Sequence, residues 1–438
     1  MRVFERSLAT IENNVANVST PGYVRQRQAL IAAPFLPEGG LYGGVLAGSR
    51  ESARDDFAER MVRERTTASG YEDQVLEGLN RIEPAFDPTG EAGIPGALDK
   101  LFQSFSALTV TPNDTVARNV VIDRARVVVS AFRNTISTVD TAEADIRTQV
   151  TTRVDSVNRV AKLLSEYNTQ ASNSGGRGAD PALEAAIYNG LEELSGQLDI
   201  RTLKQTDGTF TVTTSGGFPL VIGSQQFDLT VDASGQTVQI LDPAGNQLTG
   251  QITGGSLGGL LALANTVLPG VKTDMNALAQ TLADRVNGIL MNGLDANGLS
   301  GMPLFQYDGV LGAAGSLALT SVTAPEIAAA DLASPGGNGN ALTLASLSDS
   351  IELGGLTFAG SYGNIASGVG RRIASAKENQ GVQSELMTQA KILRQDQSGV
   401  SLDEEAVKML EYQRAYQASA QMITVLNALT QTLIDMVR

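Results

Sequence analysis

Apolar residues recur every three or four positions along most of this chain, and that spacing favours long helices over any other architecture. It begins at once: Phe4, Leu8, Ile11, Val15 and Val18 step four, three, four, three, a narrow stripe on one helix face. Pro21-Gly22 ends that helix, and a Gly-rich extended stretch follows through Gly44. Phe57, Met61, Ala68, Val75, Leu79 and Ile82 mark a second helix, closed by Pro84. A third is predicted over about 116–171, with Phe132, Ile136, Val139, Ile146, Val150, Val157, Ala161 and Leu164 in its stripe. At 1.5 Å per residue it would be roughly 80 Å long, beyond the ordinary globular range. Asn173-Ser174-Gly175-Gly176 breaks it, and Asp180-Pro181 starts another, with Asp as N-cap and Pro in the first turn. Leu183, Ile187, Leu191, Leu194 and Leu198 form the buried face of that helix.

The period then falls to two. Phe210 and Val212 alternate with threonines, as do Phe227, Leu229 and Val231, then Val238 and Ile240, with turns at Asp207-Gly208, Ser234-Gly235 and 242–245. This is a small antiparallel β region. Helical spacing returns at Leu260, Leu261, Val267, Val271, Met275, Leu278, Leu282 and Val286. A Gly-, Ala- and Ser-rich region of loops and a few strands follows, and two helices close the chain, near 365–394 and 402–437. The expected fold is mainly α and elongated, with paired terminal helices and a small inserted antiparallel β module. Four regions are predicted: 1–44 with 399–438 as a terminal helical domain; 45–200 with 254–292 and 363–398 as a long-helix bundle; 201–253 as the β module; and 293–362 as the loop-rich part.

Composition argues against catalysis. The 438 residues include no Cys, no His and no Trp. That removes disulfides, thiolate or imidazole metal ligands and every His-dependent nucleophile. A net charge of −15 disfavours nucleic acid, which needs clustered cations. No cofactor is expected. Gly254-Gly255-Ser256-Leu257-Gly258 has the letters of a nucleophile elbow but no base and no parallel sheet, and reads as a turn. Asp295, Asn297 and Gly298 begin like a calcium loop, but position twelve is Gln306, so a surface turn is expected. Arg60, Arg63 and Arg65 read as a solvated helix face. There is no run of about eighteen apolar residues and no apolar signal region at the start, so the chain reads as soluble and unprocessed.

The two ends carry the remaining signal. Near the start stands Asn13-Asn14-Val15-Ala16-Asn17-Val18-Ser19-Thr20-Pro21-Gly22-Tyr23; near the finish stand Gly399-Val400-Ser401-Leu402-Asp403-Glu404-Glu405-Ala406 and Tyr412-Gln413-Arg414-Ala415-Tyr416. Both resemble the terminal signatures of the flagellar axial proteins. The long helices after residue 50, with Gln205-Thr206-Asp207-Gly208, 254–260 and 292–298, are similar to the hook-associated proteins of the hook–filament junction. A distal rod or hook subunit is the alternative within the same superfamily, and would turn β-rich sooner.

That resemblance implies a structural protein, exported through the flagellar apparatus without cleavage and located outside the cell in the flagellum. Its implied partners are hook protein, the second hook-associated protein, copies of itself in a helical layer, and an export chaperone on the last helix. The assembly residues it implies are Leu8, Ile11, Val15, Val18, Asn13, Asn14, Asn17, Thr20, Pro21, Gly22 and Tyr23 at one end. At the other they are Leu402, Ala406, Met409, Tyr416, Ala420, Ile423, Leu426, Leu429, Leu433 and Met436. The last helix is expected to start at a Ser401–Glu404 capping box. Family members carry further helical residues before the point where this sequence starts. The expectation is therefore either an internal methionine at Met1 or a shortened terminal domain.

Overall fold

The computed structural model describes residues 2–33, 43–87, 93–173 and 180–437. Helix α1 (Arg2–Ala16) ends in a turn through Gly22, followed by strands β1 (Gln26–Ala32) and β2 (Val45–Ser52), an antiparallel hairpin. Gly22 has φ +73°, and a Cβ there would lie 2.2 Å from Asn189 Oδ1, so both backbone and space require glycine. Helix α2 (Asp56–Ile82) starts at Asp55, whose carboxylate accepts from Ala58 N at 2.8 Å, and runs into a 3-10 turn holding Pro84. Helix α3 (Ile94–Val110) precedes α4 (Thr115–Asn173), whose 59 residues bear out the long helix read from the stripe. Of the run proposed to break it, Asn173 ends the helix, and Ser174, Gly175 and Gly176 lie outside the described residues. Helix α5 (Pro181–Gln197) is capped by Asp180.

Strands β3 (Ile200–Lys204), β4 (Phe210–Thr214), β5 (Pro219–Ile222) and β6 (Gln225–Gln226) form an antiparallel sheet in sequence order. Strands β7 (Thr230–Asp232) and β8 (Gln239–Leu241) form a separate pair. Phe227 and Leu229, expected in a strand, lie between β6 and β7. Helices α6 (Gly255–Ala262) and α7 (Leu268–Met291) are joined by a π turn at 263–267. The turn sits just before Pro269, which has no N–H to continue the α ladder. Then come β9 (Phe305–Gln306), α8 (Ala313–Ser316), β10 (Ala318–Leu319), α9 (Gly339–Ser346), α10 (Phe358–Ser398) and α11 (Leu402–Val437). About 65% of the chain is helical, on the junction side of the distinction drawn from sequence.

One continuous core joins α2 to α7, α9 and α10. The stripe of α4 supplies Val121, Ala125, Val128, Phe132, Val139, Ile146, Val150, Val157 and Leu164, nearly all inaccessible to water. Each such side chain stabilises the fold by about 1.5–3 kcal/mol. The β module shares this core through Val212, Leu220, Val221, Val238 and Ile240. Three asparagines clip it to helices by pairing with backbone as a strand would. Asn158 bonds Leu229 at 2.8 and 2.9 Å, Asn168 bonds Phe210 at 2.7 and 2.8 Å, and Asn265 bonds Val238 at 2.7 and 2.9 Å. The 254–258 run is a close-packed helix start rather than an elbow. Gly255 has φ +69°, its Cβ position is 2.4 Å from the backbone of Gln197, and Ser256 is buried.

No member of that core comes from α1 or α11 among the described residues. The terminal helices form a second body, joined to the first through residues 22–26, 52–55 and 398–405.

Candidate assembly site

Helix α1 lies antiparallel on the first half of α11: Asn14 meets Glu405 at one end and Phe4 meets Tyr412 at the other, ring centroids 6.3 Å apart. The seam on α1 is Ser7, Thr10, Ile11 and Asn14, spaced three and four apart. Three of these are polar, which the apolar stripe did not announce. Ser7 and Thr10 satisfy themselves on Val3 O and Arg6 O one turn back, and so present small, bonded surfaces.

The polar knot at the base of this pair is buried except on its Glu404 side. Asn14 Nδ2 donates to Glu405 Oε2 at 2.9 Å and to Gln26 O at 3.0 Å; its Oδ1 accepts from Gln26 N and from the Tyr23 hydroxyl, each at 2.9 Å. Arg25 Nε donates to Glu405 Oε1 at 2.7 Å and Nη1 to Glu404 Oε2 at 2.6 Å. Asn14 and Glu405 are each 1% exposed. Burial of a charge costs several kcal/mol unless it is paired and bonded; here Arg25 and Glu405 pair, and Arg25 Nη2 alone of the guanidinium nitrogens is buried without an acceptor among the described residues. Burial and the nearby Glu405 push the Tyr23 hydroxyl up to about 12. Burial works against the Arg25 charge, but bonds to Glu404 and Glu405 hold its pKa above the ordinary value. The bond from Arg25 likewise holds the Glu404 carboxyl below its usual range. The expected capping box is therefore only half made. Glu404 N reaches Ser401 Oγ at 3.5 Å, while the Glu404 carboxylate turns to Arg25.

The knot continues into the bundle. Arg25 N donates to Ser398 O, and Asp55 N to Ser398 Oγ, both at 2.9 Å. Arg54 pairs with the buried Glu59, donates to Gly22 O at 2.7 Å and stacks 3.9 Å over the Tyr188 ring. Arg394 bridges Glu59 at 3.4 Å and Glu192 at 2.6 Å. Asn189 Nδ2 holds Pro21 O at 2.9 Å.

The residues singled out from sequence thus separate by position. Ile11 and Asn14 are buried, and Leu8, Asn17, Gly22 and Tyr23 are half-buried at the joint. Asn13 bonds the Tyr23 hydroxyl at 2.9 Å, and Thr20 bonds Asn17 at 3.2 Å; both remain exposed, as do Val15, Val18 and Pro21. On α11, Met409, Tyr416 and Ala420 are half-buried, whereas Leu402 and Ala406 are exposed. From residue 421 onward nothing among the described residues covers the helix. Ile423, Leu426, Leu429, Leu433 and Met436 are exposed by 44–79%. The sequence reading missed Arg25, Arg54, Glu59 and Arg394. Glu404 was visible only as the capping-box partner of Ser401 and Glu405 only within the terminal motif, and their Arg25 partner lies some 380 positions away.

No helix among the described residues is long and apolar enough to cross a membrane.

Residues 395–436 match the flagellar basal body rod FlgEFG protein C-terminal family. Residues 79–305, over half of the chain, match the flagellar hook-associated protein FlgK helical domain. The chain belongs to the FlgK family of flagellar hook-associated proteins, structural and non-enzymatic components of the hook–filament junction. It is 26% identical to flagellar hook-associated protein 1 of Bacillus subtilis, over 98% of this chain and 95% of that protein. To the Escherichia coli protein of that name it is 24% identical, over 98% and 97%. The flagellar hook junction protein FlgK from Burkholderia pseudomallei shares the fold, with a TM-score of 0.68 at 16% identity over 79% of this chain and all of that one.

Proposed function

We propose that the chain is exported without cleavage and assembles as a layer of copies on the distal end of the hook. Hook protein lies beneath it, and the second hook-associated protein lies above. The observation that carries this reading is the distal half of α11, where Met422, Ile423, Val425, Leu426, Leu429, Leu433, Ile434 and Met436 are exposed and uncovered by any other described residue. An exposed apolar stripe of this length favours a partner surface. Before export the same stripe is the binding site of a flagellar chaperone; after export it packs against axial neighbours, together with Val15 and Val18. Ile11, Asn14 and Tyr23 act differently: they fix the terminal pair to the bundle, so that load on the terminal domain reaches the long helices. In this reading 1–44 with 399–438 is the terminal domain, 45–200 with 254–292 and 363–398 the bundle, 201–253 the β module, and 293–362 a loop-rich cover.

Deleting the gene and imaging the cells tests this. Hooks without filaments, with flagellin monomers in the medium, are expected. Absent hooks would move the protein down to the rod or hook, and normal flagella would contradict the reading.

A further inference from the structure

A cleft of about 480 Å³ opens where α2, the end of α5 and strand β3 meet. Arg60, Arg63, Arg201 and Lys204 line it, with Asp56, Glu64 and Asp199. Arg60, Arg63 and Arg201 have no ion pair among the described residues, in a chain where carboxylates outnumber cations by 47 to 32. The carboxylates are better served. Asp56 accepts from the Tyr188 hydroxyl at 3.0 Å, and Asp199 accepts from Ser215 Oγ and, at 3.2 Å, from Thr253 Oγ1.

Arg63 is not on a solvated helix face, as the sequence suggested. Among the described residues its one side-chain bond is a long one, 3.4 Å from Nη2 to Thr202 Oγ1, and its Nη1 is buried with no acceptor. Burial pushes its guanidinium below the ordinary value, against the pull of Glu59. Asp199 Oδ1 is likewise buried without a donor. Native proteins rarely leave such groups unsatisfied.

We propose that this cleft binds a protein segment carrying an acidic side chain, whose carboxylate takes the fork of Arg63 with help from Arg201 and Lys204. Lys204 already pairs with Glu184 at 3.9 Å, so three unpaired cations face the three carboxylates, a balance that suits a monoanion better than a phosphate dianion. The peptide backbone of the segment supplies N–H donors to the acidic wall, which a free oxyanion lacks. The volume exceeds what a bare ion needs and matches a side chain with its flanking peptide. Arg63 turns up from the cleft floor to meet the carboxylate, bidentate pairing being the geometry a guanidinium favours.

Titrating the full chain with acetyl-Ala-Glu-Ala-amide, followed by ligand-observed NMR, tests the site. Saturable binding is expected, roughly tenfold weaker for the Gln peptide and for R63Q. R201Q, at the exposed mouth, should weaken binding by a few-fold and keeps the test valid if R63Q misfolds by circular dichroism. Inorganic phosphate should compete poorly. Equal binding of Glu and Gln peptides, unchanged binding by both variants, or phosphate binding more tightly than the peptide would each overturn the proposal.

Discussion

Helices α4 and α11 carry the same kind of sequence and meet opposite fates. Both are long, and both show an apolar stripe at helical spacing. The stripe of α4 is buried along its length, whereas that of α11 is covered only where α1 lies and is bare from residue 421. A stripe records that a helix has a face to bury, but not what buries it. On α4 the cover is the chain itself, through α3, α5, α7 and the β module. On α11 the described residues supply a polar lock at the base and no cover at the tip.

The largest effect should come from the covered stripe. Phe132→Ala removes a ring that is 0% exposed, and should cost about 3–5 kcal/mol in urea unfolding of the body. A loss below about 1 kcal/mol would mean that the core around α4 is looser than described. Next comes the lock. Glu405→Ala leaves Arg25 Nε and Asn14 short of an acceptor in a buried site. It should destabilise the docked terminal pair by about 2 kcal/mol. Hydrogen exchange reads this as faster exchange in α1 and the first turns of α11, with the bundle unchanged. Faster exchange across the bundle as well would show that the two bodies are not separable.

Titration probes the same joint more gently. The folded Tyr23 holds its proton to about 12, whereas its ordinary value is 10.0, so the contribution is complete below 10. Above that the unfolded form ionises first, and protection of the joint should fall between the two values. Glu404 works at the other extreme. Its folded value is depressed, so its contribution is present above the ordinary carboxylate range and is lost as pH falls through the lower folded value. Tyr23→Phe should abolish the alkaline step; its persistence would assign that step elsewhere. The smallest effect should come from the bare stripe: Leu429→Ala should change stability of the free chain by less than about 0.5 kcal/mol, by the same urea measurement that reports on Phe132.

Much of the bundle was legible because its helices bury one face against the same chain. The spacing set α4 near 116–171 against an observed Thr115–Asn173, and gave α11 its observed bounds. Helix α3 carries the same signal, unread above: Ile94, Leu98, Leu101, Phe105 and Leu108 keep helical spacing, with Pro95 in the first turn. The β1–β2 hairpin was hidden because it has no buried face to impose alternation; Leu30, Ile31, Val45 and Leu46 are exposed. The lock was beyond local pattern altogether. Asn14, Arg25 and Glu405 are ordinary surface residues until folding brings positions 391 apart within 2.9 Å. On the α1 seam, Asn14 faces the Glu405 carboxylate, while Ser7 and Thr10 bond back into their own helix, which an apolar stripe does not announce.

The most direct test of the central claim is complementation of a deletion strain with the double variant Ile423→Glu, Leu429→Glu, scored by electron microscopy. The account predicts a chain that is made and folded, with hooks that end bare and flagellin shed into the medium. Normal filaments on those hooks would contradict it, because charge on the uncovered stripe would then be of no consequence to assembly.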